Sequence, residues 1–252
     1  MKIYYQSYIN RELSNSYFES LTDYLNQVKN HDTELTVGEM FPPDRYAHAA
    51  VEYAAGYQAI KNTLQAEKDG YDAVILGHFQ DSGLQEAKAV VDIPVLGLGE
   101  TNMLFACSQA RKLGLITINP RFIPGHEEQV ARYGLQDRII GIRAIQFEPS
   151  QLTACLGNPA LTQEMLTSFQ EQAQPLVDAG ADLIIPAGGI PMLLIAQFSG
   201  FSVDNAPIFN GLSVIIKHAE MAVELANLNG YHISRKGMFS KLPRDVADEF
   251  YC

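Results

Sequence analysis

Several features that are common in other protein classes are missing from this 252-residue sequence. No run of lysine or arginine exceeds two residues, and 29 acidic residues against 18 basic ones give a formal charge of −11. Faces that bind nucleic acid or anionic membranes are usually basic, so neither partner is expected. No apolar stretch approaches the roughly 18 residues of a membrane span. The N-terminus also lacks the basic and apolar regions of a signal peptide.

The three cysteines are too few and too scattered for a disulfide framework. Cys107, Cys155 and Cys252 are far apart, and the sequence has no CxxC pair or Cys/His zinc cluster. Reduced thiols in a cytoplasmic protein are therefore expected. Walker A, GxGxxG and GxSxG patterns are absent too, so the sequence predicts no nucleotide or nicotinamide cofactor and no serine nucleophile.

What is present is an alternation of short apolar runs with longer amphipathic segments. This order predicts an α/β protein with parallel sheets. The predicted strands lie at residues 2–6, 34–37, 73–77, 95–98, 112–118, 139–145, 183–186 and 208–209. The strongest helical spacing lies at residues 47–67, 103–111, 162–179 and 213–228.

A weak internal repeat divides the chain into two similar halves. In the first copy, a strand at 73–77 is followed by a helix and by a strand that opens at Pro94. In the second copy, the strand at 183–186 is followed by a helix and by a strand that opens at Pro207. Two lobes related by a pseudo-twofold are expected. One comprises residues 1–98 and 214–252, and the other comprises residues 99–213.

The repeat also predicts where a ligand binds. In open α/β sheets, ligands lie beyond the carboxyl ends of the strands. His78 follows the first strand of one copy, and Gly188 follows the first strand of the other. We therefore expect these two residues to face each other across a shared cleft.

The sequence around these strand ends resembles the aspartate/glutamate/hydantoin racemase superfamily, in particular hydantoin and allantoin racemases. DAVILGHFQDSGL at 72–84 and DIPVLGLGE at 92–100 resemble the first half of these enzymes. GADLIIPAGGI at 180–190 and APIFNG at 206–211 resemble the second half. The resemblance implies two Rossmann-like (flavodoxin-like) lobes, a cofactor-free site between them, and a homo-oligomer. No metal is expected, because the conceivable ligands lack the short spacing of helical metal motifs; they are His48, His78 and either Asp81 or Glu100.

The chain departs from the family pattern at the two positions that carry the chemistry. Racemases of the family place a cysteine after each of these strands, so that one thiolate removes the α-proton and the other thiol protonates the opposite face. Here His78 and Gly188 stand at those positions, and none of the three cysteines matches either place. The sequence is therefore interpreted as a divergent member that lacks both catalytic cysteines. Histidine has an unperturbed pKa of about 6.5, so His78 is the expected general base or acid.

Residues close to the two strand ends complete the predicted site. Asp81 is expected to orient His78 or to bind a cationic group of the substrate, or else to cap the helix that begins near residues 82–84. Backbone N–H groups at Ala187, Gly188 and Gly189 are expected either to cradle a carboxylate or oxyanion, or to form only a tight turn.

The resemblance and the loop sequences suggest further contacts with the substrate. Contacts implied by the family positions are Gln6, Ser7, Phe79, Thr117 and Asn119. Thr117 and Asn119 are alternatively turn-forming residues beside Pro120. A loop near residue 42 offers a second group that can reach the cleft, comprising Arg45, Tyr46 and His48.

The expected function is a cofactor-independent racemase or isomerase. It acts at a carbon next to a carboxylate or amide carbonyl of a small molecule, with His78 as the acid/base group. Because Gly188 offers no second acid, a decarboxylase or lyase with protonation from one side is an alternative. A relative that only binds a small ligand is a third reading.

Overall fold

Two parallel β-sheets form the framework of the computed structural model, which describes residues 1–44, 46, 48–147 and 149–251. The first sheet comprises β1 (Lys2–Gln6), β2 (Glu34–Gly38), β3 (Ala73–Leu76) and β4 (Val95–Gly97), in the order β2-β1-β3-β4. The second comprises β5 (Leu113–Thr117), β6 (Ile139–Ala144) and β7 (Leu183–Ala187), in the order β6-β5-β7. A short antiparallel pair, β8 (Ser202–Val203) with β9 (Ala206–Pro207), follows.

Helices connect and cover these strands. They are α1 (Asn15–Val28), α2 (Ala49–Lys68), α3 (Leu84–Val90), α4 (Leu98–Gln109), α5 (Ile123–Arg132), α6 (Pro149–Cys155), α7 (Pro159–Asp178), α8 (Gly189–Ile195), α9 (Gly211–Asn229) and α10 (Arg244–Tyr251). A 3₁₀ turn at Pro120–Phe122 precedes α5. The predicted α/β class with two similar parallel-sheet lobes is confirmed.

The core is layered, with one apolar cluster between the sheets and one outside each of them. The central cluster joins Ile75 of β3 and Ile185 of β7 to side chains of α1, α4 and α9. Val74 and Leu76 point to the outer cluster of the first sheet, which α2 and α3 cover. Successive strand residues face opposite sides, so a strand buried on both faces reads as a continuous apolar run. This is why β3 and β7 are legible in the sequence.

The start of α4 differs from the sequence prediction. The helix was expected at 103–111 but begins at Leu98, with glycine on either side of that residue. Glycine is a poor helix former, so the apolar spacing alone does not reveal this first turn. A buried carboxylate that follows the neighbouring strand β3 accepts two of its N–H groups, as described below. The predicted strand at 208–209 was also wrong in extent, because only a single parallel bridge joins Ile208 to Ile184.

The helix α4 lies between the two sheets, in contact with β4, β7 and α9. The proposed lobe boundaries at 98/99 and 213/214 remain a prediction. Among the described helices, none has the length and apolarity that crossing a membrane requires.

Candidate active site

The carboxyl ends of β3 and β7 meet at one cavity of about 350 Å³. His78 lines it from the first lobe, and Gly188 and Gly189 line it from the second. A Cβ atom placed on Gly189 would lie only 3.6 Å from the carbonyl oxygen of Gly77. The two strand ends are therefore close enough for one small molecule to touch both.

Most of the cavity wall is apolar and comes from both lobes. Its hydrocarbon side chains include Ile9, Leu13, Phe79, Ile118, Leu152 and Ile190. Among the described residues that line it there is no lysine or arginine. The cavity can therefore bury a hydrocarbon substituent, but its described wall holds no permanent cation for a carboxylate.

The imidazole of His78 is held on two sides. Its Nε2 lies 3.0 Å from Oε1 and 2.9 Å from Oε2 of Glu52. The ring of Tyr8 stacks on the imidazole with centroids 4.4 Å apart and an interplanar angle of 14°. Nδ1 has no hydrogen-bond partner within the described part of the chain, which leaves this nitrogen available to a ligand.

Glu52 is itself held in place by its neighbours. Glu52 lies in the first turn of α2. The hydroxyl of Ser82, which follows β3, donates a hydrogen bond to its Oε2. The hydroxyl of Tyr8 donates to the carbonyl oxygen of Ser82 at 2.7 Å. A second carboxylate, Asp44, has its Oδ2 3.6 Å from Nε2 of His78. The imidazole therefore faces two carboxylates, of which Glu52 makes the hydrogen bond.

The charges of this group are coupled. Burial alone would lower the pKa of His78, but the charge and hydrogen bond of Glu52, followed by the charges of Asp44 and Asp81, raise it. Burial acts to raise the pKa of Glu52, yet the interactions with His78, Ser82 and Asp44 lower it to about 2. Burial and the nearby Glu52 raise the pKa of Asp44 to about 6 despite attraction to His78. An imidazolium paired with Glu52 is thus favoured.

Asp44, Glu52 and His78 also form the one His/carboxylate group within the described residues that is compact enough for a metal ion. Their ligand atoms lie within 4.8 Å of one another. The hydrogen bonds between His78 and Glu52 satisfy both partners without an ion. The arrangement suits proton transfer by a carboxylate-supported histidine.

The imidazole of His78 bonds Glu52 and not Asp81, and the expected contact of Asp81 with a cationic substrate group stays a prediction. The Asp81 carboxylate accepts hydrogen bonds from four groups, which are Gly99 N–H, Glu100 N–H, Gln129 Nε2 and the Tyr133 hydroxyl. It therefore caps α4 rather than the helix after residue 82, and Glu52 is the residue that orients His78. Burial raises the pKa of Asp81 to about 6, although the bonds from Tyr133, Gly99 and Glu100 oppose the shift.

The glycines of the segment GLG at 97–99 make this cap possible. A Cβ on Gly97 would lie 2.3 Å from Oδ1 of Asp81. A Cβ on Gly99 would lie 2.1 Å from the carbonyl oxygen of Phe79 and 2.3 Å from Nε2 of Gln129. These distances are too short for a Cβ atom at either position, so glycine is required at residues 97 and 99.

Thr117 and Asn119 are not among the residues that line the cavity, and Asn119 takes the alternative, turn-forming role that the sequence left open. Thr117 is fully buried, and its hydroxyl lies 3.1 Å from Nε2 of His126. Asn119 caps the 3₁₀ turn by accepting the N–H of Arg121 at 2.9 Å. Ile118, the residue between them in the sequence, lines the cavity instead.

The buried hydrogen bonds around His126 allow one assignment of donors and acceptors. Nε2 of Gln129 donates to the Phe79 carbonyl and to Asp81, so its Oε1 must accept from Nδ1 of His126. Nε2 of His126 is then the acceptor for the Thr117 hydroxyl. Burial lowers the pKa of His126 to about 4, which keeps this ring neutral.

The remaining predicted contacts divide between the cavity and the surrounding structure. Ser7, Tyr46 and Phe79 line the cavity, together with the two glycines. Gln6 is fully buried and donates to the carbonyl oxygens of Ser7 and Glu39. The side chain of His48 accepts the N–H of Ala50 at the start of α2. Arg45 and Cys252 lie outside the described residues.

The expected backbone cradle also needs correction. The N–H of Gly188 donates to the carbonyl oxygen of Pro186 at 3.0 Å, so it is not free for a substrate. Ala187 is fully buried and is not part of the wall. Gly188 and Gly189 line the cavity beside this strand end, and a backbone cradle at Gly189 stays a prediction.

Two functional residues, Glu52 and Tyr8, were missed by the sequence analysis. Glu52 is 26 residues from His78 in the chain, within a helix whose spacing explains it as a surface residue. Tyr8 belongs to a tyrosine-rich segment that also includes Tyr4 and Tyr5. This cluster of aromatic residues was the available signal, because a flat ring can stack on an imidazole.

Comparisons with known proteins agree with this architecture. A family model described as Asp/Glu/hydantoin racemase matches residues 8–218. A hydantoin racemase from Pseudomonas sp. (strain NS671) is 29% identical over 177 residues, which are 69% of this chain and 67% of that protein. A hydantoin racemase from Rhizobium meliloti is 27% identical over 156 residues, which are 62% of each chain.

Two solved structures share the fold over nearly the whole chain. Allantoin racemase from Pseudomonas fluorescens has a TM-score of 0.77 and 18% identity, with 97% of both chains covered. Allantoin racemase from Klebsiella pneumoniae has a TM-score of 0.74 and 20% identity, with coverage of 96% of this chain and 94% of that one.

Proposed function

Because the chain belongs to the Asp/Glu/hydantoin racemase family, we propose that it racemises a small neutral cyclic amide of the hydantoin type through His78. Family membership makes it a racemase-type enzyme with a small-molecule substrate, as the resemblance implied. The observation that carries the rest of the proposal is the imidazole in the cavity wall. Its Nε2 is paired with Glu52, and its Nδ1 is free of partners among the described residues.

In the proposed reaction, Nδ1 of His78 takes the proton from the carbon next to the amide carbonyl. The C–H electron pair moves into the carbonyl, giving an enolate, and protonation on the opposite face inverts the centre. Glu52 keeps the proton on Nε2 and stabilises the imidazolium as it forms. A positioned acid/base group of this kind contributes about 10²–10⁴ in rate.

The charge of the site favours an amide over a free carboxylate. Asp44 and Glu52 lie beside the imidazole, and no lysine or arginine is found among the described lining residues. Like charges placed together cost free energy in a partly buried site, so an anionic substrate would be repelled. A neutral ring with a hydrocarbon substituent suits both this charge and the apolar wall.

One-sided chemistry is the second candidate, and the bare end of β7 favours it. Gly188 and Gly189 supply no ionisable side chain. A decarboxylase or lyase needs a proton on one face only, and His78 can deliver it. The two reactions differ in product mass, since racemisation in water leaves the mass unchanged.

The test uses the L and D forms of 5-benzylhydantoin in D₂O. We expect the circular dichroism of each form to decay, with deuterium entering at C5, no release of CO₂, and no effect of dialysis against EDTA. Free phenylalanine should not react. The His78→Asn variant should fall to the spontaneous rate. The His31→Asn variant removes a fully exposed histidine and should match the wild type. CO₂ or alkene release would instead support the lyase, and no exchange of either form would contradict the proposal.

A further inference from the structure

Racemisation needs a proton donor on each face of the reacting carbon, and the end of β7 offers no side chain for the second face. We propose that the hydroxyl of Tyr17, in α1, is this second proton donor. The inference rests on the proposed racemase function and assigns the group that faces the enolate opposite His78.

The position of Tyr17 is the first support. The residue is 4% exposed and belongs to the cavity wall. A Cβ on Gly189 would lie 3.1 Å from its hydroxyl oxygen and 3.6 Å from the carbonyl oxygen of Gly77. The hydroxyl therefore lies where the ends of β3 and β7 come together. Any side chain at Gly189 would crowd it, so the glycine and the tyrosine fit together.

The second support is that this hydroxyl is not used elsewhere in the described structure. Among the described residues, two side-chain oxygens are inaccessible to solvent and have no hydrogen-bond partner, the Tyr5 hydroxyl and Oδ1 of Asn102. The Tyr17 hydroxyl has no partner there either, but its residue opens onto the cavity. Buried hydroxyls normally find a hydrogen bond. A ligand in the cavity is the partner that the Tyr17 hydroxyl can reach.

Other polar side chains of the described wall are less suitable. They are Ser7, Tyr8, Asp44, Tyr46, Gln80 and Thr153. Ser7 Oγ accepts the N–H of Ile9, the Tyr8 hydroxyl donates to the Ser82 carbonyl, and Gln80 lies two residues after His78. Asp44 lies beside the imidazole itself, 3.6 Å from its Nε2. Tyr46 is 69% exposed, and Thr153 is already engaged in another contact. Tyr17 is the one whose hydroxyl lies against the end of β7.

The proton and electron balance of the step is simple. The O–H bond of Tyr17 breaks as the enolate carbon takes the proton, and a phenolate remains while His78 is imidazolium. A proton then passes from the imidazolium to the phenolate through water in the cavity, which restores both groups. Burial raises the pKa of Tyr17 far above its ordinary value, so the hydroxyl is protonated at any working pH.

The test follows each enantiomer of 5-benzylhydantoin separately in D₂O. Tyr17→Phe keeps the ring and its edge contact with Phe18 but removes the hydroxyl. We expect it to lose racemisation at least 100-fold in both directions. It should still exchange the C5 proton of one enantiomer with retained configuration, because His78 can return a deuteron to the same face. His78→Asn should abolish exchange of that same enantiomer. Tyr5→Phe removes the closed-off hydroxyl and should racemise at the wild-type rate.

Several outcomes would overturn the role of Tyr17. One is racemisation by Tyr17→Phe within threefold of the wild type. Another is that Tyr17→Phe exchanges the C5 proton of the same enantiomer whose C5 proton His78→Asn still exchanges. A wild-type protein that exchanges neither enantiomer would instead contradict the proposed function itself.

A binding measurement tests Tyr17 without turnover. The probe is 5,5-dimethylhydantoin, which has no C5 proton, titrated into protein that carries 3-fluorotyrosine at position 17. We expect a ¹⁹F shift there and none for the same label at position 5. The absence of a shift at 17 while the compound binds would overturn the contact.

Discussion

His78 directly precedes Phe79 in the chain and His126 packs against the Phe79 ring, yet the two imidazoles have opposite electrostatic environments. His78 faces two carboxylates, and its pKa is raised in spite of burial. His126 touches Thr117 and Gln129, which are neutral, and burial lowers its pKa to about 4. Burial acts in the same direction on both rings, so the partners decide the outcome.

This difference separates a group that can transfer protons from one that holds the structure together. The ring of His126 has both nitrogens engaged and one fixed tautomer, and it packs edge-on against Phe79 at 5.6 Å. His78 has one nitrogen engaged, while the other has no hydrogen-bond partner among the described residues. Two residues of the same type thus have different capacities, and their sequence neighbours do not distinguish them.

The strongest test of the contrast replaces each histidine in turn. His78→Asn should lower the racemisation rate by about 10²–10⁴ while leaving the thermal unfolding midpoint close to the wild-type value. His126→Asn should lower the midpoint, because buried partners lose their hydrogen bonds, and should retain activity at temperatures where it is folded. Rates and midpoints measured on the same preparations check this. Equal loss of activity in both variants, with both folded, would contradict the contrast.

A second test addresses the network around His126 through Asp81. Asp81→Ala leaves four donors without their acceptor, and each unsatisfied buried group costs about 1–3 kcal/mol. We expect a loss of at least about 3 kcal/mol in the free energy of unfolding, measured by urea denaturation. The control is Asp72→Ala, which removes an exposed carboxylate that accepts one backbone N–H, from Lys2. A similar small loss in both variants would show that the network is not stabilising.

A third test uses acid. The folded pKa of His126, about 4, is below the unfolded value of about 6.5. The contribution of His126 to the free energy of unfolding is therefore fully present above about pH 6.5. It is lost as the pH falls toward 4, by up to about 3 kcal/mol. Asp81 acts in the opposite sense, since its folded pKa is raised to about 6.

Comparison with His126→Asn isolates the contribution of that histidine. The unfolding midpoint of the wild type should fall more between pH 7 and pH 4.5 than that of the variant. A parallel decline of the two proteins would show that His126 does not titrate in this way.

The smallest expected effect concerns the partner of His78. Glu52→Gln removes the largest influence that raises the pKa of His78. The neutral imidazole is the base, so activity rises with pH through this pKa, and the rise should move to lower pH in the variant. The pH dependence of kcat/KM measures the shift. The exposed Glu19→Gln variant should leave the profile unchanged, and an unmoved profile in Glu52→Gln would show that this carboxylate does not tune the base.

The sequence predicts the sheets well because strands buried on both faces are apolar throughout. It predicts the start of α4 badly, since the first turn depends on the carboxylate of Asp81, 18 residues away from Gly99. That dependence is a tertiary contact with no local pattern. Helical spacing likewise explains α2 without indicating that Glu52 turns toward His78.

The site shows the same division. The repeat was sufficient to bring His78 and Gly188 to one cavity, because parallel strand ends share an edge. Thr117 and Asn119 do not line this cavity, because the first bonds His126 and the second caps a turn, which only the three-dimensional structure shows. A strand-end position is therefore a good guide to the neighbourhood of a side chain and a poor guide to its direction.

The clamping of His78 has a consequence for the catalytic cycle. A half-turn of the ring would break both contacts to Glu52 while sliding against the face of Tyr8. The imidazole is therefore confined to one orientation, and a proton gained at Nδ1 has to depart from Nδ1. His78 then returns to its neutral form only when Nδ1 gives its proton to the molecule in the cavity, either the bound ligand or the water that replaces it. Release of product and recovery of the base become linked events.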